Sequence, residues 1–280
     1  MKATILAMTL AGCVATSWAQ GLPPVMQIFR EAIKEGRGAA HKKVEQDYVN
    51  TFRKAKYPFN YIALSSESGT SEVWFVTGLP SFAGIEQSDK ENDKEPLKSA
   101  LALLDARDGE LRSSSRSMIA VLRPDLCYTP ENGVSLGKVR YVMVETFRVR
   151  LGHDEDFANA GKMFTGAMKK AKLNTPGYIY QVVAGVPEGT YLLFAPMASL
   201  KEMDEAPARE KAMMDAMGAD NFSRLMKGAG DVFLSIEASL FSVSPEMSYA
   251  PKAAEDEDPA FWRPKAAPAA AAKPKEQKGQ

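Results

Sequence analysis

Residues 141–200, YVMVETFRVRLGHDEDFANAGKMFTGAMKKAKLNTPGYIYQVVAGVPEGTYLLFAPMASL, decide the fold of this chain. The segment begins with apolar and polar residues in alternation, which is typical of a half-buried strand. A glycine break follows, and residues 154–172 have the amphipathic pattern of a helix. Two further alternating runs, 178–184 and 190–195, are joined by a Pro-Glu-Gly turn and predict a hairpin. The segment therefore predicts the order strand, helix, strand, strand.

A weaker copy of this order begins near Val25. The segment RKAK at 53–56 matches KKAK at 169–172, an offset of 116 residues (169 − 53). Near the ends of the copies, LRPDLCYTP at 122–130 aligns with VSPEMSYAP at 243–251, an offset of 121 residues (243 − 122). Offsets that increase slowly along a chain are what short loop insertions produce. We therefore expect a tandem duplication.

A second helical region and a fourth strand complete each copy, giving the order βαββαβ twice. This order places four antiparallel strands in one sheet with both helices on one face, and the other face must be covered. The sequence thus predicts an α+β fold in which two tandem ferredoxin-like units, residues 20–130 and 131–251, pack sheet to sheet. The product is an intrachain pseudo-dimeric α+β barrel.

The first 19 residues have the pattern of a signal peptide, with an apolar segment before Ser-Trp-Ala. We expect cleavage after Ala19 and a periplasmic or secreted protein. The segment LAGC also resembles a lipobox, so a lipoprotein anchored through Cys13 is the alternative. At the other end, residues 252–280 are acidic and then rich in Pro, Ala and Lys, which predicts a disordered tail. Within it, Phe261 and Trp262 are expected to dock on the folded part.

Charge and hydropathy exclude several classes of protein. The 35 basic and 35 acidic residues give a formal net charge of zero, which argues against a nucleic-acid surface. No apolar run approaches the roughly 20 residues that span a bilayer, so we expect no transmembrane helix. If Cys13 leaves with the signal peptide, Cys127 stands alone and forms no intrachain disulfide.

The segment GHDEDF at 152–157, followed by Pro176-Gly177, a hairpin and Ser199-Leu200, resembles the dimeric α+β-barrel superfamily. That group includes the antibiotic-biosynthesis monooxygenases and the NIPSNAP-like proteins, and the resemblance spans roughly residues 25–251. In most members two chains make the barrel, so the resemblance implies a pseudo-dimer here. It implies a cofactor-free oxygenase or isomerase, a haem binder or a small-ligand binder, and the fold alone does not choose among them.

Motifs that carry chemistry are scarce. The two histidines, His41 and His153, each come near the start of a predicted helix, where we expect a surface position. The sequence shows no HxxxH, CxxC or clustered His/Asp/Glu pattern, so it predicts no metal site and no cofactor. Signatures of hydrolases and nucleotide-binding proteins are also absent. No catalytic residue is assigned.

Charged residues interrupt the apolar alternation of several strands. Buried charges are costly unless they are paired, so these residues either pair across strands or line the interior and orient a polar ligand. With neighbouring aromatic residues, the candidate ligand-binding set is Arg30, Trp74, Arg116, Glu145, Arg148, Tyr180, Tyr191 and Glu237.

The sequence therefore predicts an exported bacterial protein that binds a small, partly apolar molecule between its two sheets. One alternative is a cofactor-free monooxygenase or isomerase. The other is a structural or interaction protein of the cell envelope.

Overall fold

The computed structural model describes residues 21–264. The predicted signal peptide, the lipobox at Cys13 and the last part of the predicted tail, residues 265–280, lie outside the described residues. Within residues 21–264, no helix is long and apolar enough to cross a membrane.

Each half of the chain has four strands, with helices after its first and third strands. The strands are β1 Val25–Ile33, β2 Tyr61–Ser66, β3 Glu72–Leu79, β4 Arg112–Leu122, β5 Tyr141–Val149, β6 Tyr178–Ala184, β7 Thr190–Met197 and β8 Phe233–Tyr249. The helices are α1 Gly38–Ala55, α2 Ala83–Asn92, α3 Leu97–Gly109, α4 Asp154–Lys170, α5 Lys201–Asp204, α6 Ala206–Met217, α7 Ala219–Val232, α8 Lys252–Glu257 and α9 Pro259–Trp262.

The strands form one closed antiparallel barrel in the order β1-β3-β2-β8-β5-β7-β6-β4. The first four strands are contiguous as β4-β1-β3-β2, and the last four have the same relative order, β8-β5-β7-β6. The halves join where β2 pairs with β8 and where β4 pairs with β6. Closure leaves no free strand edge. The prediction of an α+β fold closed into a barrel is therefore confirmed.

Strand alternation sends neighbouring side chains to opposite sides of the barrel wall. On β1, Met26 and Ile28 belong to the apolar cluster inside the barrel. The residues between and after them, Gln27, Phe29 and Glu31, face the space beneath the helices of the first half. The same strand thus supplies both the barrel core and one wall of an outer cavity.

The predicted disordered tail begins too early at residue 252. Residues 252–262 form α8 and α9, and Trp262 is only 1% exposed inside the apolar cluster of the barrel. Its Nε1 donates a hydrogen bond to the carbonyl oxygen of Gly137 at 3.0 Å. The expected docking of Trp262 is confirmed, because a buried indole with its N–H satisfied holds this segment on the barrel.

The acidic run in this segment is paired with basic residues from distant parts of the chain. Asp258 forms ion pairs with Arg140 and Lys138, and Glu255 forms one with Arg53 at 2.8 Å. The composition of the segment gave no indication of these long-range partners.

Candidate functional site

A cavity of about 680 Å³ lies between the sheet of the first half and its helices. This volume is within the range of small-molecule sites in proteins. Strands β1 to β4 form one side, and α1, α2 and α3 contribute residues to the other. Its aromatic side chains are Phe29, Tyr48, Phe52, Tyr57, Phe59, Tyr61 and Phe75. The cavity therefore offers wide, flat apolar surfaces, which suit a planar molecule.

Helix α1 presents one continuous stripe of residues toward this cavity and the sheet. His41, Glu45, Tyr48 and Phe52 are spaced by four, three and four residues, so they share one face of the helix. The two aromatic residues line the cavity, and His41 and Glu45 are buried at its end. The stripe thus changes from apolar to ionisable along the helix.

Five ionisable side chains meet at that end and form what we call the buried charge cluster. Its members are Glu31 of β1, His41 and Glu45 of α1, Asp108 near the end of α3 and Arg112 at the start of β4. His41 Nε2 lies 3.0 Å from Glu31 Oε2, 3.4 Å from Asp108 Oδ1 and 3.9 Å from Glu45 Oε1. Arg112 pairs through Nη1 with Glu31 Oε1 and, at 3.1 Å, with Asp108 Oδ2.

Burial changes the acidity of this cluster. Desolvation raises the pKa of Glu45 well above its ordinary value, and the negative charges of Glu31 and Asp108 raise it further. Desolvation is also the main cause of the raised pKa of Asp108, followed by the charge of Glu31. Asp108 Oδ1, in a residue only 1% exposed, has no hydrogen-bond partner among residues 21–264. The cluster therefore contains three buried carboxyl groups, with one arginine and one histidine to balance their negative charge.

The corresponding space in the second half is filled by aromatic rings. Glu31 is the seventh residue of β1 and Phe147 is the seventh residue of β5; His41 is the fourth residue of α1 and Phe157 is the fourth of α4. The rings of Phe147 and Phe157 lie 5.5 Å apart, and they belong to one apolar cluster. The barrel can therefore be built without charges at these positions.

A second cavity, of about 400 Å³, lies inside one end of the barrel. Its walls are mostly apolar and include Met26, Leu64 and Val243. Pro251 and Ala253 of the segment that carries α8 line it as well, so the docked C-terminal segment covers this end.

The predicted ligand-binding residues do not converge on either cavity. Among the residues that line the two cavities, Arg116 is the one member of the predicted set, and it lines the outer cavity. It stands opposite Arg30 across β1 and β4.

Arg30 and Trp74 do lie together, on the side of the wall that faces the barrel interior. The Arg30 guanidinium lies 4.3 Å from the Trp74 ring centre, which is cation–π geometry. It also makes hydrogen bonds of 3.0 to 3.3 Å to both carboxylate oxygens of Glu72. This arrangement follows the expectation that charges in strands pair across the sheet.

The other predicted residues are distributed over the second half. Arg148 donates to Thr190 Oγ1 at 2.7 Å, and the Tyr180 hydroxyl donates to the carbonyl oxygen of Pro23 at 3.0 Å inside the barrel. Tyr191 is on the helix side, where its hydroxyl donates to Asp154 at 2.7 Å.

Glu145 of β5 is half-buried, and desolvation raises its pKa. Glu237 of β8 is exposed opposite Thr146. Ligand binding by the eight predicted residues stays a prediction.

The expected surface position of His41 is wrong, because its side chain is enclosed by the three carboxyl groups of the cluster. His153 is partly exposed and lies 2.9 Å from Asp156, as a residue at a helix start should. The cluster cannot be recognised in the sequence because its members come from four separate elements. The one available signal was the i, i+4 pair of His41 and Glu45 on the aromatic stripe of α1.

No protein-family model and no curated protein sequence matches the chain. Solved structures with the same architecture do exist. An anthrone oxidase-like protein is 12% identical, with a TM-score of 0.53 over 79% of this chain and 91% of that chain.

A provisionally named monooxygenase from Fusobacterium nucleatum subsp. nucleatum ATCC 25586 is 11% identical, with a TM-score of 0.51 over 79% of this chain and 93% of that chain. A mutant chlorite dismutase from Candidatus Nitrospira defluvii is 12% identical, with a TM-score of 0.48 over 82% of this chain and 94% of that chain. At such identities the likeness to the first two, whose TM-scores exceed 0.5, shows the fold alone, which is consistent with the dimeric α+β-barrel type.

Proposed function

We propose that this chain is an oxygenase that uses O₂ to oxidise a small hydroxylated or carbonyl-bearing aromatic molecule in the outer cavity. The observation that carries this proposal is the cavity itself, with aromatic walls and an ionisable end. The similarity to an anthrone oxidase-like protein and a provisionally named monooxygenase supports it through the fold. This proposal corresponds to the monooxygenase alternative predicted from the sequence and adds a candidate site to it.

The chemistry needs no external reductant when the substrate has an activated CH₂ group beside its aromatic ring. Loss of a proton gives an electron-rich anion that can react with O₂. The overall balance is R–CH₂–R′ + O₂ → R–CO–R′ + H₂O. One oxygen atom enters the ketone, the other leaves in water, and the substrate supplies all four electrons.

Two features of the cavity suit such a substrate. Phe29 is partly exposed and Phe75 lies on the same side of the sheet, so both can contact the face of a ring. Arg112 lines the cavity, and its two ion pairs both use Nη1. Its remaining N–H groups can donate to the substrate oxygen on which negative charge develops, which is the electrostatic stabilisation that favours an enolate.

A cavity-filling substitution tests the proposal. Ser117 is exposed, lines the cavity and stands opposite Phe29 across β1 and β4. We expect the wild type to consume O₂ with an anthrone-type substrate and to form one ketone per O₂. Ser117→Trp should lower kcat/KM at least about tenfold, equivalent to roughly 1.4 kcal/mol of transition-state binding.

Ser114→Trp is the matched control, because Ser114 is an exposed serine of the same strand that does not line the cavity. It should retain the wild-type rate. The proposal is refuted if no member of a panel of hydroxylated and anthrone-type aromatics drives O₂ uptake. Equal rates for the two tryptophan variants would show that the reaction does not take place in this cavity.

The barrel cavity favours a second candidate function, the binding of a small apolar molecule between the two sheets. Its apolar lining and its cover by the C-terminal segment support this candidate. Native mass spectrometry of the purified protein should then detect a co-purifying apolar adduct.

Two further parts of the sequence analysis are also proposals. A duplication of a ferredoxin-like unit is supported by the equal strand orders of the halves. It is also supported by the constant offset of 116 residues between β1 and β5 and between α1 and α4. Export through residues 1–19 is supported by their composition, and N-terminal sequencing of the mature chain tests both Ala19 cleavage and the Cys13 lipoprotein alternative.

A further inference from the structure

The buried charge cluster has the geometry of a metal site. One ligand atom from each of Glu31, His41, Glu45 and Asp108 can be chosen so that all four lie within 4.8 Å of one another. Zinc lies about 2.1 Å from imidazole nitrogen and carboxylate oxygen, so tetrahedral ligands are about 3.4 Å apart. The three distances from His41 Nε2, 3.0, 3.4 and 3.9 Å, bracket that value.

The cluster has an excess of negative charge that a bound cation would neutralise. Three ionised carboxylates and one guanidinium sum to −2 when the imidazole is neutral. The three carboxyl residues are each less than 9% exposed, so water contributes little to stabilising that charge. A divalent ion brings the sum to zero and also uses the neutral imidazole as a ligand, which is the form that binds metal.

The ion pairs of Arg112 leave one oxygen of Glu31 and one of Asp108 facing His41, and an ion bound here would replace the 3.0 Å hydrogen bond between Glu31 Oε2 and His41 Nε2. Arg112 takes Glu31 Oε1 and Asp108 Oδ2, so the other oxygen of each carboxylate faces His41 Nε2. Asp108 Oδ1 is buried and has no hydrogen-bond partner among the described residues. Outer-shell partners that fix carboxylates in this way are typical of metal sites.

The second half of the chain forms the same arrangement of strands without this cluster. Phe147 and Phe157 take the places of Glu31 and His41 there, and Gly161, the eighth residue of α4, takes the place of Glu45. Apolar packing at such positions is often as stable as a buried ion cluster, or more so. The charges of the first half therefore serve something other than holding the barrel together.

From these observations we propose that Glu31, His41, Glu45 and Asp108 bind one divalent first-row transition-metal ion at the end of the outer cavity. One imidazole nitrogen and three carboxylate oxygens are a donor set for Zn²⁺, Fe²⁺ or Mn²⁺ rather than for Cu⁺. Glu31 and Glu45 line the cavity, so the ion lies at the cavity wall, where a bound molecule would be a fifth ligand beside the four side chains.

The inference goes beyond the proposed oxygenase function and does not rest on it, because metal binding is measured without any substrate. Metal bound without O₂ uptake would overturn only the proposed function. O₂ uptake by a protein that binds neither ion would overturn only the metal site.

The test uses the full chain, stripped with a chelator and then titrated separately with Zn²⁺ and Co²⁺. Calorimetry gives the stoichiometry for Zn²⁺, and the visible d–d absorption of Co²⁺ reports the ligand geometry. We expect one ion per chain. Glu45→Gln keeps the volume of the side chain and removes one ligand charge, so it should weaken binding at least about 100-fold, the upper range for loss of an outer-shell partner.

His41→Phe should abolish binding, and Phe157 shows that a phenylalanine fits the fourth position of such a helix. His153→Phe is the matched control, because it removes the other histidine of the chain, and it should bind as the wild type does. Retention of binding by folded Glu45→Gln would overturn the inference. Failure of the folded wild-type protein to bind either ion would overturn the inference as well. It would mean that protons neutralise the buried carboxyl groups.

Discussion

Replacing Arg112 with methionine should destabilise the apo protein strongly, because it removes the arginine that neutralises Glu31 and Asp108. Both carboxyl residues are buried, and Asp108 is almost fully enclosed. Removing one partner of a buried ion pair typically costs about 3–5 kcal/mol, since the remaining charge stays buried without compensation. That is a large part of the roughly 5–15 kcal/mol by which a domain is stable.

Urea unfolding in the presence of a chelator measures this loss, so that no metal ion substitutes for the guanidinium. Arg107→Met is the control. Arg107 pairs with Asp47 at 3.0 Å, nearly the same distance as the Arg112–Asp108 pair, but both side chains are much more exposed. Its removal should cost less than about 1 kcal/mol. Equal losses for the two variants would refute the claim that the cluster depends on Arg112.

Two further pairs of substitutions test the barrel. Trp262→Ala should lower the free energy of unfolding by about 3–5 kcal/mol, because the indole is buried in the barrel cluster. Phe261 is half-buried, so Phe261→Ala should lower this free energy less. Urea midpoints that rank the two variants the other way would contradict the docking of this segment. Gly185→Ala should cost about 2–3 kcal/mol more than Gly36→Ala in thermal unfolding, although both glycines have positive φ. The reason is that the new Cβ of residue 185 would clash with the Ser117 carbonyl oxygen where β4 pairs with β6, whereas a Cβ at residue 36 would lie in open space. Equal melting temperatures for the two variants would contradict this close contact.

Strand and helix order was predictable because it depends on local periodicity. The alternating run at 178–184 gives the bounds of β6, and the helical pattern at 154–172 extends two residues beyond the end of α4. The tail boundary at residue 252 was not predictable from composition, since Trp262 and Asp258 are held by Gly137 and Arg140, more than 100 residues away in sequence.

The candidate site was mostly beyond sequence reasoning. Charged residues that break the apolar alternation of a strand form cross-strand pairs, such as Arg30 with Glu72, as readily as ligand contacts. The sequence pattern predicts a surface position for His41 because a helix start is exposed on average. Its neighbours Asp108 and Arg112 flank the junction between α3 and β4, and nothing in their local sequence connects them to α1.

The sequence by itself determined the α+β class, the order of elements and the need for a second sheet surface, because periodicity of apolar residues is a local property. Only the tertiary structure decided that Glu31, His41, Glu45, Asp108 and Arg112 meet in one buried place. Burial and charge compensation depend on which distant segments come together, and strand order in the closed barrel fixes that juxtaposition.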